Sequence, residues 1–392
     1  MVSTSCLGRG SKIYLADIVN PNCNSFGVIR LAMALTVLAS HSFYFVTGQV
    51  SAEPLYSWTG HTLGEHAVQV FFFLSGFLVT ESLLRHPGLV HFATGRILRI
   101  FPGLIVCVLL TALVLGPLVS VRGWGAYVSD ASLPLYVLRT VLLATGSAPL
   151  PGVFDNMPAA GLVNMSLWTV KFEVLCYGGL ALFGVVGLRH EGAERLSTAL
   201  LATFVLLVFL RSPTSAESYS VIDNLRYFGL YFATGMLASR LKEWIVIDYR
   251  TTVGLLGLFI IVRSTPFAEL SCALLIGSFT LLAATWTFGP LRHWCNARDL
   301  SFGVYIYAAP IQQGLLQSDL GFGPVGLTIA ALVPALVIAY ASWVFIEKPA
   351  LGARSLVCLT IKLAMRRVWE TTTGGPSIIV ERSFAGRISD VS

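Results

Sequence analysis

Long apolar stretches recur along this chain between residues 26 and 346, and they constrain its fold more than any other feature. A helix of about 20 apolar residues is long enough to cross the hydrocarbon core of a bilayer, which is roughly 30 Å thick. Of the 392 residues, 55% are hydrophobic and 12% are charged, whereas an ordinary globular chain carries about 25% charged residues. A soluble fold would expose too much apolar surface, so the sequence predicts an all-α integral membrane protein.

The apolar stretches predict a bundle of about ten transmembrane helices, which lie at 26–47, 66–84, 97–119, 166–188, 196–211, 223–239, 251–263, 267–287, 300–317 and 324–346. This pattern divides the chain into a cytoplasmic N-terminal segment at 1–25, a transmembrane domain at 26–350 and a cytoplasmic segment at 351–392. In the last segment, residues 355–369 mix basic and apolar side chains, which is typical of an interfacial helix. The residues that follow have the composition of a disordered tail.

Basic residues collect at one set of helix ends, and this bias predicts the orientation of the bundle. The polar segment 1–25 has no apolar core of the kind found in a signal peptide, so we expect it to stay in the cytoplasm. An even number of spans then places both termini in the cytoplasm. The net charge of +6 is spread over helix ends instead of forming one stripe, which argues against a nucleic-acid partner. The long outer loop, 120–165, is the segment expected to form a lid.

The first span carries two ionisable residues, Arg30 and His41, on one helical face. They are eleven residues apart, which is about three turns and roughly 16 Å along the axis. Ionisable residues inside a span are costly and are therefore functional candidates, although a lone histidine also fits a hydrogen bond that braces two helices. A cation near the cytoplasmic surface and an imidazole deeper in the membrane suit an anionic cofactor with a reactive end. A neutral histidine there can take a proton from a hydroxyl.

The second and third spans carry residues that would suit a cofactor. Ser75 and Gly76 are the small residues in an otherwise bulky run, where they either permit close helix packing or leave room for a slender chain such as pantetheine. Arg96 and Arg99 share one face near the cytoplasmic end. They are explained either as positive-inside anchors or as phosphate ligands, because guanidinium groups bind phosphate in bidentate geometry.

Polar and aromatic residues in the fourth, ninth and tenth spans complete the candidate site. Glu173 and Tyr177 are four residues apart on one face. A buried carboxylate must be protonated or paired, so Glu173 either lines the reaction site or belongs to a structural pairing. Trp168 and Tyr305, with Tyr177, are expected to line the substrate path. Glu347 is expected to pair with a nearby arginine.

Cysteine spacing gives no sign of a metal centre. The seven cysteines form no C-x-x-C pair and no metal-ligand spacing with histidine. Cys107, Cys176 and Cys272 fall inside apolar spans and are interpreted as small buried residues. We therefore expect no metal.

These motifs together resemble the acyltransferase-3 family of integral membrane acyltransferases, which modify O-antigen, lipo-oligosaccharide signals and similar glycans. The resemblance covers about residues 26–354 and rests on Arg30 with His41, Leu-Ser-Gly-Phe-Leu at 74–78, Arg96-x-x-Arg99-x-x-Pro102, Ser166-Leu-Trp-Thr-x-x-x-Glu173, Ser301-x-Gly-x-Tyr305 and Glu347-Lys-Pro349. It implies that His41 is the essential histidine, that Arg30 supports it, and that Arg96 and Arg99 serve the coenzyme. Many relatives place a histidine where this chain has Ala308, so the base is not expected from the ninth span.

The expected function is transfer of an acetyl group from cytoplasmic acetyl-CoA, as co-substrate, to a hydroxyl of a cell-surface or lipid-linked glycan at the bacterial inner membrane. The expected catalytic residues are His41, Arg30 and Glu173, the donor-binding residues are Arg96, Arg99, Ser75 and Gly76, and the substrate-lining residues are Trp168, Tyr177 and Tyr305. The alternative is a transporter or flippase of a lipid-linked glycan, because buried charges also line transport paths. No inverted repeat is visible between the two halves of the sequence, which disfavours that alternative.

Overall fold

The computed structural model describes residues 12–86, 88–144, 148–187 and 220–373, together with the single positions 198 and 201. Most of these residues are helical. The strands in this part of the chain are β1 (Ile13–Tyr14) and β2 (Val246–Ile247), which pair antiparallel. The predicted all-α architecture is therefore confirmed for the described residues.

The described helices, in chain order, are α1 (Phe26–Thr47), α2 (Tyr56–Thr59), α3 (Leu63–Arg85), α4 (Leu89–Leu110), α5 (Gly116–Val119), α6 (Trp124–Val128), α7 (Ser132–Val141), α8 (Val170–Gly187), α9 (Val221–Arg240), α10 (Tyr249–Val262), α11 (Ala268–Ala284), α12 (Pro290–Ala297), α13 (Ser301–Leu316), α14 (Pro324–Ser342), α15 (Lys348–Gly352) and α16 (Arg354–Thr373). Short 3-10 helices lie at Leu15–Ile18, Pro21–Cys23, Val50–Ala52 and Met165–Thr169. Turns of π-helix at Thr111–Leu115 and Trp343–Glu347 continue α4 into α5 and α14 into α15.

Within the described ranges, five continuous helical segments are long and apolar enough to cross a membrane, by length and composition: Phe26–Thr47, Leu63–Arg85, Leu89–Val119, Met165–Phe183 and Pro324–Gly352. The apolar helices α10 and α11 are shorter. Helices α9 and α13 coincide with two further predicted spans. The span predicted at 196–211 lies outside the described residues except for positions 198 and 201, so the count of ten stays a prediction.

The largest boundary error concerns α4, which begins at Leu89, eight residues before the predicted start at 97. Arg96 and Arg99 therefore lie inside the helix and not at its first turn. The added turns are held by contact with α16, where the Arg354 guanidinium donates to the carbonyl oxygen of His91 at 3.0 Å. Helix α16 confirms a helix at the predicted 355–369 segment, whereas its place at the membrane interface stays a prediction.

Helix α3 is the most enclosed of the five candidate spans, because 72% of its apolar 18-residue stretch is buried. It packs closely against α9 through two glycines. A Cβ atom built on Gly76 would lie 2.0 Å from the carbonyl oxygen of Phe232, and one built on Gly235 would lie 2.1 Å from the carbonyl oxygen of Phe73. Because neither distance can hold two heavy atoms, the packing of these helices requires glycine at both positions.

The charge bias of the helix ends predicts which side of the membrane each loop faces, and cysteine labelling can measure it. Ser129 is exposed between α6 and α7, and Leu89 is exposed at the start of α4. We expect Ser129→Cys to react with an impermeant thiol reagent added to intact cells and Leu89→Cys to react only after permeabilisation. The unsubstituted chain is the control for its own cysteines, and the reverse pattern would overturn the predicted orientation.

Candidate active site

Three cavities lie end to end through the helical bundle. The first, the His41 cavity, has a volume of about 400 Å³, and the second, the Arg96 cavity, has a volume of about 110 Å³. These two share Val68, Thr169 and Tyr305 in their walls. The third, the Arg354 cavity, has a volume of about 430 Å³ and shares Arg30 and Leu78 with the second. Because neighbouring cavities share wall residues, the predicted site residues follow one path from the His41 cavity through the Arg96 cavity to the Arg354 cavity.

His41 lies in the wall of the first cavity, on the third turn of α1 after Arg30. Its ring contacts the ring of Phe45 edge-on, with centroids 5.8 Å apart. The Nδ1 atom is buried and has no hydrogen-bond partner among the described residues. A histidine that braces two helices would have a partner there, so the geometry favours a group that meets a ligand.

Arg30 and Arg99 are joined by one carboxylate, Asp299, which precedes α13. Arg30 Nη1 forms an ion pair with Asp299 Oδ2, and Arg99 Nη2 contacts the same oxygen at 2.7 Å. Arg99 Nη1 also lies 3.1 Å from Oε2 of the fully buried Glu347, which confirms the arginine partner predicted for that residue. Burial alone would raise the pKa of the Asp299 carboxyl, but Arg30 and Arg99 outweigh it and hold this pKa at about 2.

This network determines how much of each arginine is available to a ligand. Arg30 lines the Arg96 and Arg354 cavities but is not among the described residues that line the His41 cavity. Arg30 and His41 therefore line different cavities. Arg99 lines the Arg96 cavity with both carboxylate contacts in place. The role of Arg30 beside His41, implied by the resemblance, stays a prediction.

Arg96 differs from its neighbour Arg99 because no described carboxylate forms an ion pair with it. Its guanidinium lies over the ring of Tyr177, 5.7 Å from the centroid. Its Nε atom is buried and has no hydrogen-bond partner among the described residues. The side chain lines the second cavity. Arg96 is thus the arginine of this pair that forms no ion pair with a described carboxylate.

Ser75, Glu173 and Tyr177 form a hydroxyl and carboxylate cluster in the Arg96 cavity. The Ser75 hydroxyl donates to Glu173 Oε1 at 3.2 Å and lies 2.8 Å from the Tyr177 hydroxyl, which also donates to Glu173. The predicted shared face of Glu173 and Tyr177 is confirmed. Glu173 is not among the described residues of the His41 cavity, so its catalytic role stays a prediction.

Gly76 is the one predicted site residue that the structure places away from these three cavities. Its Cα faces the backbone of α9, as described above. Space for the cofactor chain is therefore not the reason for a glycine at this position. The structure corrects that expectation in favour of the helix-packing alternative, while Ser75 does line a cavity.

The substrate-lining role expected of Trp168, Tyr177 and Tyr305 stays a prediction. Trp168 and Tyr305 line the His41 cavity, Tyr305 also lines the Arg96 cavity, and Tyr177 lines the Arg96 cavity but is not among the described residues of the His41 cavity. The Tyr305 hydroxyl is 2.6 Å from the Thr169 hydroxyl, so these two side chains form the partition between the two cavities. Trp168 packs its ring against Phe228 at a centroid distance of 5.5 Å.

A second polar cluster in the wall of the His41 cavity was missed by sequence reasoning. His61 Nε2 lies 3.0 Å from Glu269 Oε1, and His61 Nδ1 lies 3.6 Å from Glu65 Oε2. The Tyr231 hydroxyl donates to Glu269 Oε2 at 3.1 Å. Glu269 is an acidic residue inside the predicted span 267–287, and that was the signal available in the sequence.

Among the described residues, no group of three or more His, Cys, Asp or Glu side chains is arranged to hold a metal ion.

The cover of the His41 cavity also differs from the prediction. We expected the outer loop 120–165 to provide a lid, but of its described residues, 120–144 and 148–165, Met165 at the end of the loop lines this cavity and the others do not. Val50, Glu53, Gly60, His61 and Thr62 also line it, so the loop between α1 and α3 contributes more of this wall than the predicted lid does. Cys107, Cys176 and Cys272 are buried free thiols, as predicted.

Residues 24–344 match the acyltransferase-3 family, which is defined by an acyltransferase domain, and the chain belongs to this family. It is a helical membrane acyltransferase. It is similar, at 29% identity over 334 residues, to the O-acetyl transferase of Shigella phage Sf6, a match that covers 83% of this chain and 95% of that protein. It is also 27% identical over 379 residues to Nodulation protein 10 of Rhizobium leguminosarum bv. viciae, covering 87% of this chain and 97% of that one. No solved structure gives a significant match.

The contrast between the two arginines of α4 leads to a stability prediction. Arg99→Ala would leave the buried Glu347 without its arginine, and breaking a buried ion pair costs about 3–5 kcal/mol. Arg96→Ala breaks no ion pair to a described carboxylate. We therefore expect Arg99→Ala to lower the thermal unfolding midpoint of the purified protein clearly more than Arg96→Ala does. Equal midpoints for the two variants would contradict the ion-pair network.

Proposed function

We propose that this acyltransferase moves an acetyl group from acetyl-CoA to a hydroxyl of a cell-surface or lipid-linked glycan. The observation that carries the proposal is the row of three cavities, which has His41 at one end and arginines at the other. Similarity to an O-acetyl transferase supports acetyl as the transferred group. The proposed setting is the bacterial inner membrane, with both termini in the cytoplasm and the Arg354 cavity facing the cytoplasm.

The Arg354 cavity has the chemistry required for the phosphates of coenzyme A. It is lined by Arg30, Arg85 and Arg354, and guanidinium groups bind phosphate oxygens in bidentate geometry. The two acidic residues in its wall are already compensated, because Glu81 lies 2.8 Å from Lys242 Nζ and Asp299 binds two arginines. A net positive cavity of about 430 Å³ therefore remains for the anionic part of the donor.

The narrow Arg96 cavity would hold the chain between the phosphates and the thioester. Its volume of about 110 Å³ suits a slender chain better than a sugar. The hydroxyls of Ser75 and Tyr177 lie in its wall, where they can hydrogen-bond to the amide groups of pantetheine. The thioester would then reach the partition formed by Thr169 and Tyr305 and meet the acceptor on the other side.

His41 would act as general base in the His41 cavity. The imidazole takes the proton of the acceptor hydroxyl as its oxygen forms a bond to the thioester carbonyl carbon. The carbon–sulfur bond of the resulting tetrahedral intermediate then breaks, and the coenzyme thiolate takes the proton back from the imidazolium. Ser166 lines the same cavity, and its buried Oγ atom has no hydrogen-bond partner in the part of the chain that the structure describes, so this hydroxyl could donate to the developing oxyanion.

The transferred group and its donor are tested together by incubating the purified protein with acetyl-CoA labelled in the acetyl group. Membranes that contain surface glycan supply the acceptor. We expect His41-dependent movement of label into glycan and release of free coenzyme thiol. Retention of all label on the coenzyme in the presence of these membranes would contradict the proposal.

His41→Gln separates a base from a structural histidine. Glutamine keeps hydrogen-bonding capacity but cannot take up a proton near neutral pH, and general-base catalysis contributes about 100-fold to 10,000-fold. We expect acetyl transfer to fall by at least about 100-fold, with little change in the thermal unfolding midpoint. The matched control is His293→Gln, at an exposed histidine of α12. Near-normal transfer by His41→Gln would exclude a role as base.

Arg96→Ala tests the donor side of the path. Loss of a guanidinium that is not ion-paired to a described carboxylate should weaken ground-state binding, so we expect the KM for acetyl-CoA to rise by more than kcat falls. Arg250→Ala, at an exposed arginine of α10, is the control for loss of one positive charge. An unchanged KM for acetyl-CoA in folded Arg96→Ala protein would return Arg96 to the role of an orientation anchor.

A further inference from the structure

The His41 cavity contains two buried polar atoms that the protein itself does not satisfy. Ser166 is 1% exposed, and its Oγ atom has no hydrogen-bond partner among the described residues. The same holds for His41 Nδ1. Buried polar groups in folded proteins are nearly always hydrogen-bonded, so two orphan atoms on one cavity point to a polar ligand that supplies the missing partners. This observation is independent of the charges described next.

Four carboxylates line the same cavity, and no lysine or arginine is among the described residues of its wall. The carboxylates are Glu53, Glu65, Asp223 and Glu269. They come from the loop between α1 and α3 and from the first turns of three different helices, α3, α9 and α11. These four residues, here called the carboxylate ring, include Glu65 and Glu269, which both contact the imidazole of His61.

The positive charge close to these carboxylates is too small to cancel them. Burial opposes protonation of His61, but its contacts with Glu269 and Glu65 outweigh this effect and raise the pKa of its imidazole to about 10. His61 is thus a cation at neutral pH. Arg226 pairs with Asp223 at 3.4 Å without lining the cavity. Two cations against four carboxylates leave the wall negative.

We propose that the sugar residue acetylated in the His41 cavity is uncharged, and that the carboxylate ring excludes sugars that carry a carboxylate, phosphate or sulfate group. This inference rests on the proposed function, because it takes the His41 cavity as the acceptor site. An anionic sugar would be buried against like charges with no lysine or arginine to meet it, and such juxtaposition is strongly unfavourable. A neutral sugar instead offers hydroxyl donors, which carboxylates accept.

The remaining wall fits a neutral sugar as well. Tyr44, Trp168 and Tyr227 present aromatic surface to the cavity, and the apolar CH face of a pyranose can pack on such surface. The two ends of the path therefore differ in charge: arginines line the Arg354 cavity and carboxylates line the His41 cavity. An anionic donor is held at one end and would be repelled at the other.

The first experiment locates the acetyl group on the natural product. Surface glycans are isolated from cells that express the wild-type chain or His41→Gln, and mass spectrometry with fragmentation identifies the residue with His41-dependent acetyl. Acetyl on an uncharged residue supports the inference, and acetyl on a uronate, sialate or phosphate-bearing residue overturns it. Absence of any His41-dependent acetyl is a different result, because it contradicts the proposed function itself.

The second experiment measures the charge effect at constant size. The acetylated residue is prepared as an alkyl glycoside in three forms, in which one hydroxyl other than the acetylated one is left free, converted to its carboxymethyl ether, or converted to the methyl ester of that ether. We expect kcat/KM for the carboxylate to be at least about 100-fold below that of the methyl ester. A carboxylate that reacts as well as its ester would overturn the inference, because the two differ mainly in charge.

A double variant, Glu65→Gln with Asp223→Asn, tests whether the carboxylates of the His41 cavity cause the preference for the ester over the carboxylate substrate. Glutamine keeps the capping box that Glu65 forms with Thr62 at the start of α3. We expect the ratio of ester to carboxylate reactivity to shrink by about 10-fold, which is close to 1.4 kcal/mol. Residues with a purely structural role would lower both reactivities in proportion and leave the ratio unchanged, and that outcome would contradict the proposed role of the ring.

Discussion

The buried Asp299 carboxylate ties together the elements on which the candidate site is built. It binds Arg30 of α1 and Arg99 of α4, and the Ser301 hydroxyl at the start of α13 donates to it at 2.5 Å. Arg99 extends the network to Glu347 at the end of α14. Two arginines against two carboxylates give a neutral network, which is the condition for keeping charges inside a bundle of low dielectric constant. Four helices are thereby fixed around the junction of the Arg96 and Arg354 cavities.

Features that depend on spacing within one helix were predictable from the sequence. Helical geometry alone places Arg30 and His41 on one face of α1 and brings Glu173 within reach of Tyr177 on α8. Apolar length likewise gave the class of fold, because a backbone in lipid must satisfy its own hydrogen bonds and a helix is the simplest way to do so. These properties are local, so no knowledge of neighbouring helices was needed.

Features that depend on which helices meet were not predictable. Nothing in the sequence pairs His61 with Glu269, which is 208 positions away, or brings Asp299 to Arg30. Ser75 and Gly76 show the same limit, because adjacent helical residues point about 100° apart and the sequence does not say which of them faces a cavity and which faces a neighbouring helix. The position of α9 decides which one does. The covering loop between α1 and α3 was overlooked because a polar loop has no periodicity that marks its direction.

The reciprocal contact of Gly76 and Gly235 has a consequence for how the enzyme moves. Each glycine lies against the backbone of the opposite helix, so a slide of one residue would push a side chain into a main-chain carbonyl. Such an obstacle resists both sliding and rotation, so this contact favours movement of α3 and α9 as one unit. Widening of the path for the donor or the product would then come from walls on other sides, such as the loop 48–62. The two glycines therefore make α3 and α9 the rigid side of the path, and the walls on other sides are the ones that can open.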